Sequence, residues 1–271
     1  MPGFNPERIN IKDLTLEEPE KKVEFSAVFD PEKDITEEGW NGMRRTLEHY
    51  REQNDWRKFS TQAMAMKIID SSIDLKPTQD DWKNMLKVLE NYRKTGVLYH
   101  SPDFLVSVKV LDPFVDLKMT KDDWEGMLRI LESYKKNNNW DLFLNQAVNI
   151  KICNPSVDLK INKEIWVVIL ERLEIHRKND DWRKFSTQAM AMKIIDSSID
   201  LKLTQDDWKK MYKKLEELRK MNNWRDFAAH AMAMKILAAE DIKITDKGIE
   251  IKMLGKEVPL QSETLPEQRK F

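Results

Sequence analysis

Residues 119–160 read MTKDDWEGMLRILESYKKNNNWDLFLNQAVNIKICNPSVDLK. Counting from Trp124, the residues Met127, Leu128, Leu131 and Tyr134 fall at offsets 3, 4, 7 and 10, one stripe of an amphipathic helix. Thr120 stands three residues before Asp123, where its hydroxyl can accept from an unpaired N–H at the helix start, and the acids of the first turn suit the positive helix end. Lys136-Asn137-Asn138-Asn139 is a short polar turn of the length that joins antiparallel helices. A second apolar segment opens at Trp140 and stops at Asn154-Pro155, where an Asx turn and a proline forbid continuation. The stretch predicts a helical hairpin.

The same text recurs outward in both directions. Trp40, Trp82, Trp124, Trp166 and Trp208 are each 42 residues apart, and Trp56, Trp140, Trp182 and Trp224 keep the same period, with Leu98 in the missing place. These two columns contain all nine tryptophans of the 271-residue chain. Thr78 with Asp81 and Thr204 with Asp207 repeat the helix start, and Asn162 caps the fourth copy. In the second helix of the first copy, Trp56, Phe59, Ala63, Met66 and Asp70 fall at offsets 0, 3, 7, 10 and 14, and Met64 and Ile68 widen the apolar arc. So wide an arc predicts cover on two sides, by the helix's own partner and by the next copy. The connectors DSSIDLK, DPFVDLK and NPSVDLK alternate apolar and polar, which predicts short extended segments able to pair between copies. Asp55 to Lys76 recurs unchanged at Asp181 to Lys202, so the two tracts count as one observation.

A fixed period of this size marks stacked units, none of which buries its apolar face alone. The reading is an all-α solenoid of five helix–turn–helix repeats, at about 35–76, 77–118, 119–160, 161–202 and 203–244. At roughly 9–10 Å per layer, such a stack would be an elongated body about 45–50 Å long. Residues 1–34 form an N-terminal cap, partly extended because Val23, Phe25, Ala27 and Phe29 alternate. Residues 245–260 form a C-terminal cap, with Asp241 to Thr245 and Ile249 to Met253 flanking Asp246-Lys247-Gly248 as a β-hairpin, and 261–271 read as a disordered tail. A helix pair repeated about every 40 residues resembles the HEAT and armadillo class in period and organisation. That resemblance implies a superhelical platform for partners.

Composition narrows the function classes. The chain is 41% apolar and 34% charged, with 46 basic and 47 acidic residues, so it carries no overall nucleic-acid or membrane signature. One cysteine, Cys153, admits neither an intrachain disulfide nor a thiolate zinc cluster. The first residues lack the apolar core of a signal peptide, and the longest apolar run, Ile165 to Leu170, is far short of the roughly 20 residues that cross a bilayer. The expected location is cytoplasmic. His49, His100, His176 and His230 are scattered, with no metalloprotease pattern and no phosphate-cradling loop, so neither an enzyme nor a cofactor or metal site is expected.

The candidate partner-binding residues follow from the columns. Lys67, Lys109, Lys151, Lys193 and Lys235 form a ladder of charge at the end of each second helix, where a cation also suits the dipole. Asn145 and Asn149 belong to columns of small, mostly uncharged residues that leave room for a ligand chain: Thr61, Asp103, Asn145, Thr187 and Ala229, then Ala65, Ser107, Asn149, Ala191 and Ala233. Tyr99 and His100 lie where the second copy breaks the pattern, Ser101-Pro102 acting as a delayed helix start. The tryptophans lead apolar stripes and are assigned to packing. The leading function is a protein- or peptide-binding scaffold. Nucleic-acid binding along the lysines and head-to-tail self-assembly are the alternatives.

Overall fold

The structure, a computed structural model, describes residues 29–73, 75, 77–95, 102–245 and 248–253. One helical turn, α1 (Pro31–Asp34), precedes five hairpins. Their first helices are α2 (Glu37–Glu52), α4 (Gln79–Lys94), α6 (Lys121–Lys136), α8 (Lys163–Lys178) and α10 (Gln205–Lys220). Their second helices are α3 (Trp56–Ile69), α5 (Pro102–Leu111), α7 (Trp140–Cys153), α9 (Trp182–Ile195) and α11 (Trp224–Ala238). The all-α repeat with a C-terminal hairpin is therefore present. The segment 23–28, the tail 261–271 and the pair Tyr99 and His100 lie outside the described residues.

Local chemistry sets each boundary. Thr78, Thr120 and Thr204 close full capping boxes with Asp81, Asp123 and Asp207. Asn162 caps α8, and Thr36 caps α2. The second helices are capped in turn by Asp55, Asn139, Asp181 and Asn223. The hairpin turns place Asn54, Asn138, Asp180 and Asn222 at φ 54°, 54°, 53° and 54°. Asparagine and aspartate tolerate this left-handed conformation best among non-glycine residues. Helix α5 starts at Pro102, four residues later than its counterparts, as the Ser-Pro break predicts. The connectors make Asx turns at Asp70, Asp112 and Asp196, each side chain accepting from the N–H two residues on. Among the described residues no strand pairing joins one connector to another; the one ladder is the terminal hairpin.

The array does not stay open. The helices α3, α5, α7, α9 and α11 pack side by side in order, and α11 packs against α3. The five second helices thus form a closed inner ring. The first helices lie outside it, α10 touching both α9 and α11, and α2 both α11 and α3. Contacts across the closing junction are the internal ones moved on by one unit. Lys193 Nζ donates to the Leu237 carbonyl at 3.2 Å, and Lys235 Nζ donates to Ile69, the counterpart of Leu237, at 2.8 Å. Arg177 pairs with Asp207 at 3.2 Å, and its counterpart Arg219 pairs with Glu38 at 2.6 Å, one residue off register because position 39 is glycine. Lys210 lies 5.2 Å over the Trp182 ring, and its counterpart Gly42 seats Trp224. A Cβ on Gly42 would fall 2.2 Å from that indole, so this helix-interior glycine is required by close approach. The elongated stack is corrected on this point. Five units complete the circle, and the terminal faces cover each other.

The core runs round the ring between the two layers. Met43, Met85, Met127, Ile169 and Met211 of the outer helices are fully buried, as are Phe59, Phe143 and Phe185 of the inner ones. Trp56, Trp166, Trp182 and Trp224 are buried, while Trp40, Trp82, Trp124, Trp140 and Trp208 are half-buried against the same core. After α11 the chain runs directly into β1 (Ala239–Thr245), paired antiparallel with β2 (Gly248–Met253) in a register of Ile242 with Ile251 and Ile244 with Ile249. The hairpin touches α5, α7, α9 and α11, with Ile242 and Ile249 buried, and so lies over the C-terminal end of the inner ring.

Candidate functional site

The alternation of the hairpins sets the inner helices parallel, and closure gathers their five negative ends under the hairpin and their five positive ends at the other mouth. The lysine column sits at the negative end. Lys67 donates to the Ser71 carbonyl at 2.6 Å, Lys109 to that of Pro113, and Lys151 to those of Pro155 at 2.6 Å and Val157 at 3.4 Å. Lys193 reaches the Leu237 and Ala239 carbonyls, the second at 2.6 Å, and Lys235 reaches Ile69. All five are half-buried. Burial lowers the Lys193 pKa, opposed by the nearby carboxylates Asp200 and Asp241. The connector acids Asp116, Asp158 and Asp200 turn instead to the backbone N–H of Lys118, Lys160 and Lys202. The ladder is a ring of helix C-terminal caps.

At the opposite mouth, the first turns of the inner helices carry the ring's solvent-facing side chains. Arg57, Asp103, Asn145, Arg183, Arg225 and Ala229 are exposed, and Thr61 and Thr187 are half-buried. Ion pairs cross between neighbours here, Arg57 with Asp103 at 3.9 Å and Arg183 with Asp226 at 3.5 Å. The second small-residue column lies one turn deeper on the same face, and there Ala65, Ser107, Asn149, Ala191 and Ala233 are at most 5% exposed. The expectation of room for a ligand chain along both columns is therefore corrected. Small side chains let the five helices converge until the deeper column closes the bore. Asn149 donates to Asp103 Oδ1 at 2.9 Å, and only Asn145 of the two asparagines remains at the surface.

Buried polar groups between the layers were not singled out by the sequence. His230, 1% exposed, contacts Ser186 Oγ through Nδ1 at 2.8 Å and the Met211 carbonyl through Nε2 at 2.9 Å. Gln146, its counterpart two units back, makes the same contact to the Met127 carbonyl at 3.3 Å. In the fourth unit Gln188 turns to Asp141 and to His176 Nε2, 3.0 Å away. The column Gln62, Gln146, Gln188 and His230 was visible in the text, as polar residues on an apolar helix at the repeat period. Cys153 packs at the end of α7, and burial pushes its thiol up to about 12, far from a thiolate nucleophile. Among the described residues no group of three or more His, Cys, Asp or Glu is placed to hold a metal ion, and no helix is long and apolar enough to cross a membrane.

Comparison with known protein families, with characterised proteins and with solved structures finds no match to this chain.

Proposed function

We propose that the chain is a non-enzymatic binding module whose open mouth receives a protein or peptide. One observation carries this reading: the exposed side chains of the inner ring lie in its first two turns, where Arg57, Asp103, Asn145, Arg183 and Arg225 stand in solvent around the helix starts. Mixed charge and amide groups on a rigid circular rim suit a polypeptide surface better than a uniform phosphate backbone. The engagement of the half-buried lysine column with carbonyls also weighs against nucleic-acid binding along it, because those ammoniums already serve as helix C-terminal caps. Closure weighs likewise against head-to-tail filaments, since the first and last hairpins already cover each other.

Affinity capture with the intact chain, beside a variant carrying Arg57→Ala, Asn145→Ala and Arg183→Ala, tests the reading. The expected result is a protein that binds the intact chain and is lost from the variant. Salt-dependent recovery of nucleic acid, equal for both chains, would overturn it.

A further inference from the structure

We infer that the seam between the fourth and fifth hairpins is an acid-sensitive latch of the ring, opened by protonation of His230. The imidazole sits at the meeting of α9, α10 and α11 and is 1% exposed. Its hydrogen bonds assign its proton. The Met211 carbonyl only accepts, so Nε2 carries the hydrogen, and Nδ1 accepts from Ser186 Oγ. A second proton would find a hydrogen-bond partner, because Nδ1–H could donate to Ser186 while that hydroxyl turns to the Arg183 carbonyl at 3.1 Å. Among the described residues, the charges that act on the imidazole are both positive. Helix α9 brings Arg183, already paired with Asp226 of α11, and α10 brings Lys214, paired with Glu217 at 3.1 Å. Helices α2 and α3 meet α11 through Gly39, Gly42 and the Ile69 carbonyl, and add no charge at those contacts.

Burial makes a cation here costly, Lys214 and Arg183 add to that cost against the Met211 hydrogen bond, and the imidazole is pulled down from 6.5 to about 4. The unfolded or opened chain binds the proton first. Stability contributed by neutral His230 is full above 6.5 and is lost as the pH falls toward 4. The consequence reaches the whole ring, because α11 also carries the closing contacts. Trp224 seats on Gly42, and Lys235 holds the end of α3. Loosening α11 from α9 therefore unclasps the junction between the last hairpin and the first.

Hydrogen exchange of the intact chain, read by mass spectrometry at about pH 7 and about pH 4.5 and corrected for chemical exchange, tests the latch. The open population around α11 should rise by up to about a hundredfold, two pH units below the free imidazole value, while α7 changes far less. His230→Gln, which copies the Gln146 contact, should abolish the difference between α11 and α7. An α11 no more acid-labile than α7, or an equal acid loss in His230→Gln, would overturn the proposal. Should that variant fail to fold at pH 7, the comparison of α11 with α7 in the unaltered chain decides alone.

Discussion

Residues 55–76 and 181–202 are the same 22 amino acids set in two places of one ring. Everything local is reproduced. Each tract begins with an aspartate cap, forms a 14-residue helix from its tryptophan, and ends in an Asx turn. Several polar contacts reached across a helix gap differ. Ser60 meets Ser107 Oγ at 2.7 Å, while Ser186 meets His230. Gln62 leaves its buried amide nitrogen without a partner among the described residues, while Gln188 bridges Asp141 and His176. Lys67 folds back onto Ser71, while Lys193 reaches into the next unit. Identical sequence thus settles the hairpin, and the neighbours decide what its polar side chains do.

The apolar seam should be the same in both settings. Phe59 and Phe185 are fully buried, lie edge-on to Trp56 and Trp182 at 5.5 and 5.0 Å, and are covered by Arg51 and Arg177 at 5.1 and 5.0 Å. Phe59→Ala and Phe185→Ala should each cost about 3–5 kcal/mol in denaturant unfolding. A gap between the two variants of more than about 1.5 kcal/mol would show that the units are not equivalent packing sites.

The slot beneath the inner-helix tryptophan varies more from unit to unit. Trp182 is covered by the flexible Lys210, whereas its counterpart Trp224 rests on the backbone at Gly42. Alanine at 42 would gain about 1 kcal/mol of helix propensity yet collide with a buried indole, so a net loss of about 1–3 kcal/mol is expected. A stabilised Gly42→Ala, measured by thermal unfolding, would mean that the closing junction is looser than described.

The serine pair tests how neighbours divide the two tracts. In Ser60→Ala the Ser107 hydroxyl still has the Phe104 carbonyl at 2.9 Å, and the loss should stay near 0.5–1 kcal/mol, about one net hydrogen bond. In Ser186→Ala the buried Nδ1 of His230 loses its donor, and the loss should be about 1–3 kcal/mol. Equal losses in equilibrium unfolding would remove His230 from the account of that seam.

Much of this was legible in the text because it is local or periodic. The threonine caps, the tryptophan columns, the late start of α5 and the terminal hairpin each follow from residue type and spacing. Closure was not legible, since a period reports that units stack but not the angle through which each turns. Two signs of it were nevertheless present. Position 39 is glycine where the second, third and fifth units carry aspartate, and α11 stays as apolar as an internal helix instead of turning polar at an end. The mouth and the closed bore depend on that angle as well. Asn145 and Asn149, four residues apart on one face, are divided only by how far the helices have converged.

The smallest expected effect addresses the part of the comparison that should not vary at all. Asp55 and Asp181 accept from the N–H of Lys58 and Lys184 at 3.2 and 3.3 Å, and each also pairs with that lysine's ammonium, at 2.7 and 3.1 Å. Both carboxyls are held below the ordinary value: burial works to raise them, and the lysine hydrogen bonds outweigh it. A depressed folded pKa means the capping contribution is present above the unfolded value near 3.8 and fades as the pH falls below it. Asp55→Ala and Asp181→Ala should therefore each cost about 1 kcal/mol at neutral pH and less in acid. Because the cap is made within its own turn, the two losses should agree closely even though the tracts face different neighbours. A cap at one site worth twice the other would mean that tertiary setting reaches even the first turn of the helix.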